Sequence, residues 1–169
     1  MSIKHIVFCA ALSVFLAGSA FAQSLAEMSL PRFASFRFGM INARSGPGKR
    51  YPIDWVYKQK NAPVEVIQAY EYRKEMWYKI RDWDNSESWV LHAKLSKKRT
   101  AKVMGEAENN VYAKGSYDAK IIAKAEKGAV ADIVKCPRSN EFCLLKFKSQ
   151  EGWMPRKDLF GVYPDEVIK

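Results

Sequence analysis

Few side chains in this sequence have the type and spacing that chemistry requires, and the clearest pair is Cys136 and Cys143. They flank residues 137–140, a run of turn formers, and an antiparallel hairpin places such flanking residues opposite each other at bonding distance. We therefore expect a disulfide in an oxidising compartment. Two alternatives remain. One is an unpaired thiol pair; the other is a metal site or nucleophile, although the chain beyond residue 22 has one histidine, His92, and no CxxC spacing.

Three carboxylates are also close together in the sequence. Asp82, Asp84 and Glu87 have a spacing that could suggest paired acid and base catalysis. Residues 84–86 are turn formers, however, and acidic residues are common in turns because water solvates them there. The GxSxG, HExxH, P-loop and dinucleotide-binding patterns are missing from the sequence. We predict a protein that is not an enzyme and that uses no cofactor and no metal.

Aromatic and basic residues are concentrated in one region instead. Residues 51–89 contain four of the five tryptophans, more than one small core requires. If Tyr78 and Ile80 face the core, strand alternation turns their odd-numbered neighbours to the opposite face. Such a face can stack on sugar rings or hold an extended peptide, while its cations attract carboxylates. The ligand-binding residues predicted in this way are Tyr51, Trp55, Trp77, Lys79, Arg81 and Trp83.

Short strands are the elements that would position these residues. Residues 63–67 and 77–81 alternate between apolar and polar side chains, which is the period of half-buried antiparallel strands. The Ser-Gly-Pro-Gly run at residues 45–48 must be a loop, because proline lacks an N–H donor and glycine favours backbone angles closed to other residues. Residues 84–86 read as a tight turn between the last two strands. This order of strands and turns predicts an all-β unit.

A second copy of this unit follows the first. Shifting residues 60–66 by 67 positions aligns them with residues 127–133, and shifting Trp89 by 64 positions aligns it with Trp153. The offset changes where turns are expected, and turns absorb insertions more readily than strands do. We predict two small barrels in tandem, over residues 33–99 and 104–165. The loop at residues 43–47 is not repeated in the second copy, so any ligand role of this loop belongs to the first barrel.

The beginning of the chain resembles neither unit. Residues 1–22 combine a basic start at Lys4, a short apolar run and the small-x-small sequence that ends at Ala22, which is typical of a cleaved signal peptide. The apolar run is too short to span a membrane. We expect cleavage after Ala22, a periplasmic or secreted protein with no stable membrane anchor, and a linker or tail at residues 23–32. Removing one lysine and no acidic residue changes the formal charge from +10 to +9.

The first unit carries a recognisable motif. The run Asn-Ala-Arg-Ser-Gly-Pro-Gly at residues 42–48, followed by Tyr-Pro-Ile at 51–53 and by Ser-Trp-Val at 88–90, resembles the two ends of a bacterial SH3 domain. The chain is similar, over about residues 33–163, to exported proteobacterial proteins with two such domains in tandem. The resemblance implies two SH3-like barrels and a role in recognising cell-wall peptides. The chain departs from the family pattern at Ser88, where a glycine usually precedes the tryptophan.

These observations together predict a binding function. We expect a periplasmic, non-catalytic protein that recognises cell-wall peptidoglycan, as stem peptide or glycan, through its first barrel. The alternative is a scaffold or adaptor that docks a periplasmic protein partner through an extended peptide. The basic run at residues 97–99 could suggest nucleic-acid binding. It lies between the two predicted barrels, where a solvated connector is expected, and export separates the protein from nucleic acid, so we predict no nucleic-acid partner.

Overall fold

The computed structural model of the protein describes residues 29–148 and 150–169. The predicted signal peptide, and the predicted tail up to residue 28, lie outside the described residues. Within the described ranges, no helix has the length and apolar character that crossing a membrane requires.

Residues 32–96 form the first of two antiparallel sheets. Its strands are β1 (Arg32–Phe36), β2 (Ile41–Arg44), β3 (Ile53–Tyr57), β4 (Pro63–Tyr72), β5 (Glu75–Arg81), β6 (Glu87–Leu91) and β7 (Leu95–Ser96). A single 3₁₀ turn, His92–Lys94, connects the last two strands. The order across the sheet is β3-β2-β6-β5-β4-β1-β7, so β1 pairs with both β4 and β7 and the sheet curls into a barrel.

Residues 100–160 form the second sheet. Its strands are β8 (Thr100–Val103), β9 (Glu108–Tyr112), β10 (Ile121–Glu126), β11 (Val130–Lys135), β12 (Phe142–Lys146), β13 (Glu151–Pro155) and β14 (Leu159–Phe160). The order β10-β9-β13-β12-β11-β8-β14 repeats that of the first sheet, strand for strand. The predicted all-β fold of two small barrels is therefore confirmed.

Strand alternation builds the core of the first barrel. Val64 and Val66 in β4, with Tyr78 and Ile80 in β5, are each at most 2 % exposed, whereas Glu65 and Lys79, which lie between them, are partly exposed. One end of this core is closed by aromatic rings, since Tyr57 lies 4.7 Å from Phe36 and 5.8 Å from Trp83, measured between ring centroids. The predicted period of two is correct in both strands.

A disulfide crosses the hairpin of the second barrel. Cys136 and Cys143 are bonded, their Cα atoms lie 4.3 Å apart, and both residues are fully buried in the second core. The backbone of Cys136 also exchanges two hydrogen bonds with Ile168, which attaches the end of the chain to the barrel. The disulfide predicted from the turn-rich spacing is confirmed.

Apolar side chains join the two barrels to each other. The Phe33 ring of the first barrel lies 5.2 Å from Phe160 and 4.6 Å from Tyr163 of the second. In return, Val130 of the second barrel packs against the core of the first. A Cβ atom added to Gly161 would lie 3.1 Å from the Pro63 side chain, so the two backbones approach closely at this point.

Polar contacts connect the same surfaces. The Thr100 hydroxyl donates to the Asn61 carbonyl at 2.7 Å, and the Tyr163 hydroxyl donates to Glu65 at 2.9 Å. Because buried polar groups are costly unless they are paired, these bonds favour one relative position of the barrels. Together the contacts show that the barrels pack against each other rather than hanging from a free linker.

One lysine of the second barrel covers a tryptophan of the first. The Lys102 ammonium lies 3.3 Å from the centroid of the Trp83 ring and donates to the Gln59 side chain at 3.2 Å. Burial lowers the pKa of Lys102, while the carboxylates of Asp84 and Asp82 act in the opposite direction. This cation–π contact places Trp83 inside the contact between the barrels.

The disulfide gives a stability prediction. Replacing both cysteines, by Cys136→Ala with Cys143→Ala, should lower the free energy of unfolding by about 2 kcal/mol. Without the closed loop, the unfolded chain has a higher conformational entropy. Urea unfolding of the purified protein measures this change. Dithiothreitol should shift the midpoint of the parent protein in the same direction and leave the variant unchanged. Equal midpoints for parent and variant would contradict the role given to the disulfide.

Candidate functional site

The six residues nominated by the sequence do not share one surface. Trp77 lies on the face of β5 opposite to Tyr78, as alternation predicts, beside its cross-strand neighbours Tyr70 and Leu91. Its side chain is nevertheless buried, with 2 % exposed, and its indole N–H has no hydrogen-bond partner within the described residues. The expectation that Trp77 is an exposed ligand contact is therefore wrong, because strand alternation gives the face of a residue but not its burial.

Two of the nominated cations are balanced by carboxylates. Lys79 lies 2.5 Å from Glu87, and Arg81 lies 3.1 Å from Glu87 and 3.2 Å from Glu65. Hydrogen bonds from Lys79 and then Arg81 lower the pKa of Glu87, so this carboxylate stays charged in mildly acidic solution. A ligand anion would have to compete with these internal carboxylates. Lys79 and Arg81 therefore form a poorer anion-binding site than the sequence predicted.

Trp55 and Trp83 lie at the end of the barrel that contains β3. Trp55 is 63 % exposed, and with Trp83 it borders a shallow depression of about 660 Å³. Trp83 is half-buried, because Lys102 covers its ring and Tyr57 packs beside it. The two tryptophans therefore differ from each other. Trp55 is exposed, whereas Trp83 belongs to the contact between the barrels.

Tyr51 lies in the loop of residues 45–52, which folds back toward the end of β4. Small residues permit this approach, since a Cβ atom on Gly46 would overlap the Tyr51 ring and one on Gly48 would lie 3.2 Å from the Tyr72 ring. Arg44, at the end of β2, donates to the Tyr51 carbonyl at 2.7 Å. The Ser-Gly-Pro-Gly sequence therefore holds Tyr51 against the first sheet.

Arg50 lies between two tyrosine rings. Its guanidinium carbon is 5.0 Å from the Tyr51 centroid and 5.1 Å from the Tyr72 centroid, and the guanidinium donates to the Tyr51 hydroxyl at 3.2 Å. The hydrogen bond with Tyr51, and the charges of Tyr51, Tyr72 and Tyr70, raise the pKa of Arg50. Within the described part of the chain Arg50 forms no ion pair. Its charge is therefore available to a ligand.

The hairpin between β4 and β5 completes this region with an unusual turn. Arg73 and Lys74 have φ angles of 51° and 64°, a left-handed conformation that glycine or asparagine normally occupies in two-residue turns. Such strain persists where the surroundings enforce it, and it is frequent at functional sites. A 2.5 Å ion pair from Lys49 to Glu75 ties the loop of residues 45–52 to this hairpin. The Arg73 side chain thereby lies next to a tyrosine ring, with its guanidinium carbon 5.4 Å from the Tyr72 centroid.

The aromatic surface continues onto the outer face of the sheet. Tyr70 is 47 % exposed, and its ring lies 6.3 Å from that of Trp89 in an edge-to-face arrangement. Trp89 is half-buried and is paired across the strands with Arg44. We call this continuous surface the tyrosine–arginine patch. Its members are Arg44, Arg50, Tyr51, Tyr70, Tyr72 and Trp89.

The patch has the properties of a binding surface for a polar ring compound or an acidic peptide. Aromatic faces supply contact area at a small cost in conformational entropy. The planar guanidinium of Arg50 can bind a carboxylate through two parallel hydrogen bonds, and the rings on both sides limit its orientations. Of the residues nominated by the sequence, the patch contains Tyr51.

The second barrel does not repeat the patch. Arg44 pairs with Trp89 in the first sheet, and Tyr112 pairs with the matching Trp153 in the second. Tyr112 therefore occupies the position of Arg44. Tyr112 is buried and packs edge-to-face on Phe142. A cationic aromatic surface of this kind is therefore a property of the first barrel, in agreement with the loop sequence.

The acidic turn has a structural role. Asp82 accepts the Tyr57 hydroxyl at 2.8 Å and the backbone N–H groups of Asp84 and Ser86 at 2.9 Å each, so its carboxylate organises the turn. Burial, followed by the hydrogen bond to Asp82, raises the pKa of Tyr57. Within the described residues, no three His, Cys, Asp or Glu side chains form a group that could hold a metal ion.

Comparisons with known proteins place the patch within a familiar type of domain. The family model of the bacterial SH3 domain matches residues 39–97, which include every member of the patch. None of the curated proteins compared with the chain matches it. Residues 39–97 are therefore a bacterial SH3 domain, which confirms the resemblance for the first barrel.

Two solved structures are similar to the chain over a larger part of its length. NlpC2 from Trichomonas vaginalis is 14 % identical, with a TM-score of 0.33, and the match covers 77 % of this chain and 48 % of that protein. NlpC1 from Trichomonas vaginalis is 12 % identical, with a TM-score of 0.33 and coverages of 78 % and 46 %. The chain thus spans about half the length of these proteins.

The burial of Trp77 predicts a loss of stability on its removal. Trp77→Ala should lower the free energy of unfolding by about 3 kcal/mol, because it leaves a cavity among buried side chains. Trp55→Ala, at a tryptophan with 63 % exposure, is the matched control and should change this free energy by less than about 0.5 kcal/mol. Thermal or urea unfolding provides the comparison. Equal stabilities for the two variants would show that Trp77 is not buried in solution.

Proposed function

We propose that this is a non-catalytic protein of the bacterial cell envelope that binds peptidoglycan through the tyrosine–arginine patch of its first barrel. The observation that carries the proposal is Arg50, a cation without a carboxylate partner in the described structure, held between the rings of Tyr51 and Tyr72. Peptidoglycan offers sugar rings to the aromatic faces and peptide carboxylates to the guanidinium. Both kinds of group are needed to use the patch fully.

The bacterial SH3 match and the disulfide support an envelope location. Domains of this family are associated with recognition of cell-wall peptides, and the match includes the whole patch. The Cys136–Cys143 disulfide is of a kind that persists in oxidising compartments such as the periplasm. The signal-peptide pattern of residues 1–22 agrees with export. A periplasmic or secreted protein without an enzymatic site is the simplest account of these features.

Net charge alone would attract the protein to an anionic wall. The chain carries a formal charge of +10, or +9 without residues 1–22. Attraction between exposed charges is largely screened at about 0.3 M salt, where the Debye length is shorter than about 8 Å. A specific patch keeps its aromatic contacts under these conditions. Binding measured at this salt concentration therefore separates recognition from charge attraction.

Co-sedimentation with purified sacculi tests the proposal. The parent protein should bind at about 0.3 M salt, and Arg50→Ala and Tyr70→Ala should each weaken binding by about tenfold, equivalent to about 1.4 kcal/mol. Both side chains are solvent-exposed, so their removal should leave the fold intact. Retained urea midpoints would verify that point.

Matched controls are available on the rest of the surface. Tyr117 of the second barrel is 51 % exposed, close to the 47 % of Tyr70, and Arg138 is an exposed arginine outside the patch. Tyr117→Ala and Arg138→Ala should bind like the parent. If all four variants bound equally, the patch would not be the site. If the parent failed to bind at this salt concentration, peptidoglycan would not be the ligand.

A further inference from the structure

A second recessed surface lies between the barrels, away from the tyrosine–arginine patch. It is a groove of about 800 Å³ whose floor belongs to the second barrel and includes Val111, Ala123, Ala125 and Phe147. Its opposite wall includes residues 59–61 of the first barrel. The groove contains no member of the patch. A ligand bound there would contact a different part of the molecule from the one used by peptidoglycan in our proposal.

The repeated strand order explains why the second barrel is open at this point. Tyr57 pairs with Ile41 in the first sheet, and Ala125 pairs with Asn109 in the second, so Ala125 occupies the position of Tyr57. Where Tyr57 fills the end of the first barrel, the alanine side chain leaves space. The missing phenol ring thus accounts for part of the groove.

Two further aromatic residues of the first barrel have smaller or polar counterparts. Phe36 bonds through its backbone to Ala62 just as Val103 bonds to Ala129, so a valine replaces the phenylalanine. Trp83 is the second residue of its turn, and the second residue of the matching turn in the second barrel is Lys148. The three rings that close this end of the first barrel therefore have no aromatic residue at the matching positions of the second. Space for apolar groups of a ligand remains at this end.

The groove runs along the free edge of a sheet. β10 is the outer strand of the second sheet, with β9 as its neighbour on one side. Residues 123–126 all line the groove, although successive side chains of a strand point to opposite faces. Because side chains from both faces of β10 line it, the groove includes the edge of this strand, together with residues of β9, β11 and β12. An extended peptide could therefore add to β10 as a further strand.

Lysines are the commonest charged residues of the groove. Five lysines and two acidic residues line it, and the lysines are Lys60, Lys98, Lys124, Lys146 and Lys148. Three of them pair with carboxylates: Lys98 with Asp132, Lys124 with Glu108, and Lys146 with Glu151. Within the described residues, Lys60 and Lys148 form no ion pair. Lys60 belongs to the first barrel and Lys148 to the second, so a ligand needs more than one negative charge to contact both of these unpaired lysines.

We propose that this groove binds an extended acidic segment of a partner protein, in which acidic and aliphatic side chains alternate, along the edge of β10. Every second side chain of the segment enters the apolar floor near Ala125, and the acidic ones meet Lys60 and Lys148 at the rim. Charge complementarity selects an acidic segment over a basic one. The backbone of the segment pairs with the free edge of β10.

Fluorescence anisotropy with a defined probe tests this site. The probe is a fluorescein-labelled peptide in which glutamate and leucine alternate, titrated with the full-length protein; a peptide with lysine in place of glutamate is the comparison. Ala125→Tyr introduces the residue that the first barrel carries at this position, and an unchanged urea midpoint verifies that this variant is folded. It should weaken binding of the acidic peptide by at least about tenfold.

A second variant tests the charge at the rim without changing the floor. Lys60→Glu with Lys148→Glu alters two exposed residues and should also weaken binding by at least about tenfold. Lys114→Glu and Arg138→Glu alter exposed residues outside both the groove and the patch, so these two control variants should bind the peptide like the parent.

Three results would overturn the proposal. The first is no binding of the acidic peptide to the parent protein, and the second is equal binding of the acidic and basic peptides. The third is full competition by dodecanoate, a single-charge amphiphile, which would assign the groove to a small ligand instead of a protein segment. Loss of binding in both groove variants, with parent-like binding in both controls, supports the site.

Discussion

Packing between the two barrels determines which aromatic surfaces of the protein remain free. The contact covers Phe33 with two rings of the second barrel and places Lys102 over Trp83. Each barrel has few residues in its core, and domains of this size gain stability by burying surface against a neighbour. Once these surfaces are covered, the exposed aromatic residues on the described part of the first barrel are Phe38, Trp55 and Tyr70, and Tyr70 belongs to the patch.

Much of the fold could be predicted from local patterns. Alternation identified β4 and β5, and the turn residues between Cys136 and Cys143 indicated the disulfide. Matching residues in the two copies predicted the repeat, and the offset between them changes because insertions occur in turns. Alternation also gave the correct face for Trp77. It could not give the burial of Trp77, because that depends on side chains contributed by neighbouring strands of the sheet.

The candidate site was harder to predict because it forms through contacts distant in sequence. The Arg-Tyr pair at residues 50–51 and the Tyr-x-Tyr pattern at residues 70–72 were visible, yet nothing local indicated that the loop of residues 45–52 reaches Tyr72. The turn at Arg73 and Lys74 lacks the usual glycine or asparagine, so its position was not apparent. Pairing of Lys79 and Arg81 with acidic residues likewise depends on the register of three strands.

If the tyrosine–arginine patch recognises peptidoglycan, a two-dimensional nitrogen–proton NMR titration with a soluble muropeptide should locate the contact on the first barrel. Five tryptophans give separate indole signals. We expect saturable shifts of the Trp89 indole and of the backbone amides of Arg50 and Tyr70, while the Trp153 indole of the second barrel stays in place. Shifts confined to residues outside the patch, or no shifts at millimolar muropeptide, would contradict the account.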